Sequence, residues 1–154
     1  CGSFRKGHFD GVLNIVNRFL EIINPKRILL GDKDYQQLYL IKRHIAKRKI
    51  KTIVVKCKTI REKNGLACST RNNLLNRKQT KIGSKIYRYL KKLKKRPVQN
   101  INKMRENIKN FGVRKIDYLE VLSLKTHKKT SLINNNSKIF IAYYLDSVRL
   151  IDNI

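Results

Sequence analysis

The stretch from Gly31 to Gln37 has the residue types and the placement of a phosphate-binding turn. It follows a short apolar run, Ile28-Leu29-Leu30, and precedes a helical pattern, so it lies where a strand ends and a helix begins. Ligands of open α/β sheets bind at such ends, because the first amides of the helix point at an anion. There Gly31 permits close approach, Lys33 offers a positive charge to phosphate, and Asp34 can accept hydrogen bonds from ribose hydroxyls. Gln37 lies one turn after Lys33 and is predicted to face the same side.

The same stretch also has a simpler interpretation. Asp34 is an ordinary residue for the N-terminal cap of a helix, and Lys33 would then be a solvated lysine. A spacing of this kind is not specific by itself, so the local pattern leaves both interpretations open.

A second candidate segment runs from Ile60 to Asn72. Its adjacent hydroxyls, Ser69 and Thr70, and the planar fork of Arg71 can grip a phosphate with short donors. Because Asn64-Gly65 is a turn signal, the segment is predicted to be a glycine-hinged loop that closes over a bound nucleotide and excludes water. The alternative is a Ser-Thr helix cap followed by an exposed arginine.

Alternating elements position the first segment. Apolar residues recur at helical spacing from Phe9 to Ile23, and Pro25 ends that pattern. After the run at 28–30, a second helical pattern extends from Tyr35 to Ile45. The β-branched run Ile53-Val54-Val55 then predicts a buried strand of a parallel sheet. This order is typical of an α/β fold.

A different pattern follows Asn72. Helical stripes cover 82–93, up to Pro97, and 101–111, and strands are predicted at 116–121, 138–145 and 148–151. The chain therefore divides near residues 58–60. Residues 1–58 are predicted to be part of an α/β nucleotide-binding domain, incomplete because two strands and two helices make a thin sheet, and residues 59–154 a small α+β domain.

Charge is the largest compositional signal. The chain of 154 residues carries a formal net charge of +27, which taken alone indicates a nucleic-acid partner. Lysines, however, are spread over nearly every segment, and the one dense run, Lys91 to Arg96, lies at a predicted exposed helix end. Such a run is usually a solvated face, so nucleic-acid binding is kept only as an alternative function.

Three cysteines without a Cys-x-x-Cys pair argue against a disulfide framework or a zinc knuckle. No metal-ligating residues are assigned. No apolar run approaches the ~20 residues that cross a bilayer, and no signal peptide opens the chain, so a cytoplasmic protein with reduced thiols and no membrane partner is expected. Cys1 at the first position suggests a chain that begins mid-protein.

Together, in this order and separation, the two segments resemble those of the pantothenate synthetases. In that family a strand ends in Gly-Glu-Lys-Asp-x-Gln-Gln, and the downstream loop reads Val-Arg-Glu-x-Asp-Gly-Leu-Ala-x-Ser-Ser-Arg-Asn. Residues 4–12 also resemble the family's Arg-Pro-Gly-His-Phe-x-Gly-Val, and residues 117–120 and 149–154 resemble its closing strands. The resemblance covers essentially the whole chain.

The resemblance implies a nucleotidyltransferase-type Rossmann domain followed by a small α+β domain. It also implies an ATP-dependent and Mg²⁺-assisted joining of pantoate to β-alanine through a pantoyl adenylate, and because the family is typically dimeric, a homodimer is a possible assembly, with the oligomeric state left open. On that pattern Lys33 would bind ATP phosphate and stabilise the charge that develops on it. Asp34 and the Gly31 amide would hold the ribose. Gln37 would hydrogen-bond pantoate, and the backbone of Ile60 would contact adenine.

By the same resemblance Ser69, Thr70 and Arg71 would form a mobile phosphate-binding loop, the counterpart of the Lys-Met-Ser-Lys-Ser loop. Lys33, Ser69 and Arg71 are thus the predicted catalytic residues. The sequence departs from the pattern conservatively: Asp32 replaces Glu, Asn64 replaces Asp and Thr70 replaces Ser. Cys68 stands where Leu or Met is usual, and is interpreted as a small buried hydrophobe.

One family feature has no counterpart among these residues. Family members begin with a His-x-Gly-His motif that contacts the ATP phosphates, whereas the histidines of this chain, His8, His44 and His127, have no partner at that spacing. His44 and His127 are interpreted as solvated. The 154 residues alone are therefore expected to lack part of the active site and not to make pantothenate. A non-catalytic interaction domain is the other alternative function.

Overall fold

The computed structural model describes residues 7–95 and 100–154. Two compact units, 1–59 and 60–154, make up the chain. In the described residues the helices are α1 (His8–Ile23), α2 (Tyr35–Lys47), α3 (Arg77–Leu93) and α4 (Ile101–Lys109). The strands are β1 (Arg27–Gly31), β2 (Ile53–Cys57), β3 (Lys115–Ser123), β4 (Ser137–Leu145) and β5 (Val148–Asn153). Short 3-10 turns cover Asp32–Asp34 and Thr70–Leu74.

The first unit packs two helices on one face of a two-stranded parallel sheet. Helix α1 is capped at its C-terminus by Asn24, which adopts a left-handed conformation just before Pro25. Strands β1 and β2 pair in register from Arg27 opposite Ile53 to Gly31 opposite Cys57. The small core lies between helices and sheet, where Leu20, Ile41 and Ile45 are buried and the side chains of Val12, Leu13, Val16, Ile28, Leu30, Ile50 and Val54 pack against them.

The sheet of the first unit is covered less fully than the sequence predicts. Strand β2 was expected to be buried, but Ile53 is 60% exposed, and Leu29 of β1 is 66% exposed. Side chains alternate between the two faces of a strand, and the helices α1 and α2 cover only the face of Ile28 and Val54. The prediction of a buried strand is therefore wrong for one of its faces.

The second unit packs α3 and α4 on an antiparallel sheet in the order β3-β4-β5. Its core is larger, because helical residues interdigitate with three strands; its most deeply buried side chains include Ile86, Leu90, Met104, Ile108, Leu119, Ile139 and Ile141. Helix α3 begins earlier than its apolar stripe indicates. Asn76 and Gln79 form a reciprocal capping box, in which each side chain accepts a hydrogen bond from the other's backbone amide at 2.8–2.9 Å.

The predicted helices and strands are confirmed in type and order, and so is the mixed α/β class. The assignment of 1–58 and 59–154 as domains stays a prediction. Residues 4–6 of the resemblance to the family, and the helix end at Arg96 and Pro97, lie outside the described residues. His44 is not solvated as expected: it is half-buried and its Nε2 lies 2.8 Å from Asn17 Oδ1. No helix in the described part of the chain is long and apolar enough to cross a membrane.

Candidate functional site

The first candidate segment forms an open turn at the end of β1. Gly31 ends the strand, the 3-10 turn Asp32–Asp34 follows, and α2 begins at Tyr35. Gly31 has an extended conformation that any residue adopts, with φ of −70°. A Cβ atom placed on it would meet no heavy atom within 4 Å. The fold therefore does not require a glycine at this position. Because Gly31 has no side chain, the space beside the end of β1 stays open.

Asp34 is not a helix cap, although it stands at the N-cap position of α2. Its side chain makes no capping hydrogen bond, and it is exposed. The simpler interpretation of this segment is therefore wrong for Asp34, whose carboxylate faces solvent at the strand end. Lys33 is half-buried in the 3-10 turn, so its spacing to Gln37 in the first turn of α2 is not that of one continuous helix.

Burial raises the pKa of the Tyr35 phenol, and the neighbouring Asp32 carboxylate raises it further. Tyr35, the first residue of α2, therefore keeps its hydroxyl proton to a higher pH than an ordinary tyrosine.

The second candidate segment is a hairpin rather than an irregular loop. The Cys68 amide donates to the Ile60 carbonyl at 3.0 Å and the Glu62 amide to the Leu66 carbonyl at 2.9 Å, while Arg61 pairs with Ala67 in an antiparallel bridge. The hairpin was not predicted, because its arms are too short to show a period-2 pattern. Ile60 stands at its start with a side chain that is 75% exposed.

Gly65 makes the turn of this hairpin possible, as the Asn64-Gly65 signal predicts. Its φ is +95°, and a Cβ atom there would lie 2.3 Å from Cδ1 of Tyr87 on α3. Both the backbone conformation and the packing therefore exclude other side chains at this position. The Asn64 side chain supports the turn by accepting the Leu66 amide at 2.9 Å.

The residues Ser69, Thr70 and Arg71 leave the hairpin and enter the second 3-10 turn. Ser69 Oγ accepts the Arg71 amide at 3.3 Å, so Ser69 does cap this turn, and Arg71 is exposed, as the alternative interpretation states. The Ser69 hydroxyl keeps its proton for donation to another acceptor. The Arg71 guanidinium makes no ion pair with any described residue. Ser69 therefore caps the 3-10 turn, and the exposed side chains of Thr70 and Arg71 remain accessible as hydrogen-bond donors.

Cys68 contradicts its interpretation as a buried hydrophobe, because it is exposed. Its neighbours Leu66 and Ala67 are buried instead. Sequence reasoning also missed the side chains that hold the hairpin. Arg61 binds Asp152 of β5 through two hydrogen bonds of 2.7 and 3.0 Å, and these residues are ninety-one positions apart. Both lie in segments that match the family pattern, but spacing does not reveal that they touch.

Comparison with known proteins assigns the sequence to a family. The sequence model of the family described as pantoate-beta-alanine ligase matches residues 1–154, the whole chain. The chain belongs to that family. In this pantoate-beta-alanine ligase family member, the turn at Gly31 and the hairpin at Gly65 lie in the two segments that resemble the family's motifs.

Relatives with curated descriptions agree. A pantothenate synthetase of Caldicellulosiruptor saccharolyticus is 35% identical over 161 residues, covering 100% of this chain and 57% of the relative. A pantothenate synthetase of Vesicomyosocius okutanii is 40% identical, covering 100% of this chain and 56% of the relative. The chain thus spans little more than half the length of these relatives.

Solved structures give the same fold. The pantothenate synthetase of Thermus thermophilus matches with a TM-score of 0.90 and 30% identity, covering 99% of this chain and 58% of that one. The pantoate-beta-alanine ligase of Francisella tularensis, complexed with beta-gamma ATP and beta-alanine, matches with a TM-score of 0.80 and 36% identity. This match covers 99% of the present chain and 52% of the Francisella tularensis chain. None of these four proteins carries the name of a nucleic-acid-binding protein.

Proposed function

We propose that this chain supplies part of the ATP-binding site of an enzyme that condenses pantoate with β-alanine to form pantothenate. The observation that carries the proposal is the accessibility of the polar groups in the two candidate segments. Each presents accessible polar groups at a position where the fold leaves space for a ligand: the open strand end at Gly31, and the exposed donors that follow the hairpin. The ligand named for the Francisella tularensis ligase, beta-gamma ATP, supports a nucleotide as the ligand.

The reaction has two steps. A carboxylate oxygen of pantoate forms a bond to the α-phosphorus of ATP, and the bond from that phosphorus to pyrophosphate breaks. The amine of β-alanine then attacks the carbonyl carbon of the pantoyl adenylate, loses a proton, and AMP leaves with the bridging oxygen. Negative charge grows on pyrophosphate in the first step, so cations held at the phosphates lower its barrier.

Residues of the first unit take the ribose and one phosphate in this proposal. The Asp34 carboxylate accepts hydrogen bonds from ribose hydroxyls, and it is suited to that role because it caps nothing. The Gly31 amide lies at the open strand end beside it. Lys33 places a positive charge on the transferring phosphate, and Gln37, half-buried in the first turn of α2, hydrogen-bonds pantoate.

Residues of the second unit take the leaving phosphates and adenine. Ser69 and Thr70 donate hydroxyl protons, and the Arg71 fork binds two phosphate oxygens at once. The Ile60 backbone contacts adenine next to its exposed side chain.

Among the described residues no group of three His, Cys, Asp or Glu side chains could hold a metal ion. We propose that Mg²⁺ arrives on the phosphates of ATP. A cytoplasmic location and a homodimer are further parts of the proposal.

Calorimetric titration of the chain with ATP tests the assignment. Lys33→Ala and Arg71→Ala should each weaken binding about tenfold, the usual effect of losing one charge-assisted contact. Lys51→Ala in the first unit and Lys78→Ala in the second are matched controls, because both are exposed cations outside the segments. Equal losses in all four variants would indicate nonspecific attraction to the basic chain and would contradict the proposal.

A further inference from the structure

The hairpin that precedes the Ser69–Arg71 segment is held by Arg61, whose guanidinium donates hydrogen bonds to residues of the second unit. Arg61 donates to Asp152 through both terminal nitrogens, at 2.7 and 3.0 Å, and also to the carbonyls of Gly65 at 3.1 Å and Asn153 at 3.3 Å. Its charged carbon lies 4.2 Å from the ring centroid of Tyr87. The arm of the hairpin is thereby fixed to β5 and to α3.

This ion pair is shielded from water, with side-chain exposures of 19% for Arg61 and 11% for Asp152. Burial alone would lower the pKa of Arg61, but the hydrogen bond and the charge of Asp152 raise it above its usual range. The pair therefore stays charged, and removing one partner would leave the other charge uncompensated.

A second carboxylate, that of Glu62, binds the residue that follows the Ser69–Arg71 segment. Glu62 accepts the Asn72 side-chain amide at 2.5 Å and the Asn64 side-chain amide at 3.1 Å. The same Asn72 nitrogen donates to the Ala67 carbonyl at 3.1 Å. Asn72 follows Arg71 directly, so Glu62 ties the exit of the segment to the hairpin that precedes it.

The hairpin itself rests on a patch of small residues on α3. Ser84 Oγ donates to the Asn64 carbonyl at 2.6 Å. A Cβ atom on Gly83 would lie 2.7 Å from Leu66, so the helix and the turn approach closely at this point. The hairpin that precedes the Ser69–Arg71 segment is therefore packed directly against α3 of the second unit.

From these contacts we infer that Glu62 and Asp152 are positioning residues for the nucleotide phosphates. They act through Asn72 and Arg61, which fix both ends of the Ser69–Arg71 segment before any ligand binds. This inference rests on the proposed function. It differs from the expectation of a mobile loop that runs from Ile60 to Asn72, because movement is confined to the residues between Cys68 and Asn72. Preformed donors bind phosphate without the entropy cost of ordering a loop.

Asp152→Asn and Glu62→Gln test the inference, with Asp117→Asn as the matched control. Asp117 is also a buried carboxylate of the same sheet, but its ion pairs are with Lys115 and Arg149, neither of which lies in the hairpin. Amide hydrogen exchange at residues 68–72 and the dissociation constant for ATP are measured on the whole chain. Exchange at residues 139–141 in the core of β4 monitors the fold.

Each test variant should speed exchange at residues 68–72 and weaken ATP binding about tenfold, while Asp117→Asn changes neither, whatever it does to the melting temperature. Should Asp152→Asn fail to fold, Asn72→Ala removes the exit contact alone and should give the same two changes. Unchanged exchange, or faster exchange with unchanged ATP affinity, overturns the positioning role. A wild-type chain that binds no ATP overturns the proposed function first, and the positioning role with it.

Discussion

At the scale of single residues, Asp152 is linked to the candidate site through Arg61, which donates to it at 2.7 and 3.0 Å. The residue types of Lys33, Ser69 and Arg71 by themselves predict phosphate binding, because cations and hydroxyls bind phosphate in any fold. The residue type of Asp152 does not predict its role, because that role depends on Arg61, which lies ninety-one positions away in sequence although its Nη1 is 2.7 Å from Asp152 Oδ2. Pairwise contacts of this kind are set by tertiary packing, which local spacing does not encode.

Asp152 also affects Tyr143 of β4. Burial raises the pKa of this phenol strongly, and the Asp152 charge raises it further. A folded-state pKa above the unfolded value of about 10 means that the neutral phenol contributes stability below pH 10 and that this stability is lost as the pH rises beyond it. Denaturant unfolding should therefore show stability that falls above about pH 10, by up to ~1.4 kcal/mol per pH unit for one proton.

Tyr143→Phe is the matched variant, since it removes the titrating group and keeps the ring. Its stability should fall less steeply above pH 10 than that of the wild type. The account of Tyr143 is wrong if the two proteins lose stability in parallel across that range.

At the scale of elements, the long periodic stretches and the Asn64-Gly65 turn were predicted, whereas the short hairpin around that turn was not. Helices α1, α3 and α4 carry clear apolar stripes, so their existence followed from the pattern. The hairpin from Ile60 to Cys68 has no such stripe, and its conformation follows from one glycine, one asparagine and the packing surface of α3. The capping box of Asn76 and Gln79, which the apolar stripe does not indicate, explains the early start of α3.

Gly65→Ala should destabilise the second unit by about 2 kcal/mol or more, because it combines a strained positive φ with a clash against Tyr87. Gly11→Ala is the control. Gly11 is exposed in α1 and a Cβ there meets nothing within 4 Å, so alanine should stabilise that helix by roughly 0.5–1 kcal/mol. Chemical denaturation measures both effects. If Gly65→Ala unfolds at the wild-type denaturant concentration, the turn does not constrain the hairpin.

At the scale of the whole molecule, the two units differ in how much apolar surface they bury. The second has helices and three strands around one core. The first has a small core and leaves large side chains exposed; these are Ile15, Phe19, Ile22, Ile23, Leu29 and Ile53. The change of pattern near residues 58–60 predicts a domain boundary, which stays a prediction. The exposed face was not predictable, because an apolar strand has the same sequence pattern whether one face or both are covered.

This difference predicts that residues 60–154 fold alone and that residues 1–59 do not. The shorter piece buries too little apolar surface to offset its chain entropy, as is common for small domains. Each piece can be expressed separately and unfolded in urea. A cooperative transition is expected for 60–154 and none for 1–59. The opposite result would show that the first unit is held by contacts other than its small core.

The most direct test of the central claim is to observe which backbone amides of the labelled chain shift in its NMR spectrum when ATP is added. The account predicts shifts concentrated at residues 31–34, at Ile60 and at residues 69–71, with Gln37 responding when pantoate follows. The competing source of affinity is the exposed cationic face of α3, at Lys81, Lys85, Arg88 and Lys92. Shifts confined to that face, or none at the two segments, would contradict the claim that this chain carries the nucleotide-binding residues of a ligase.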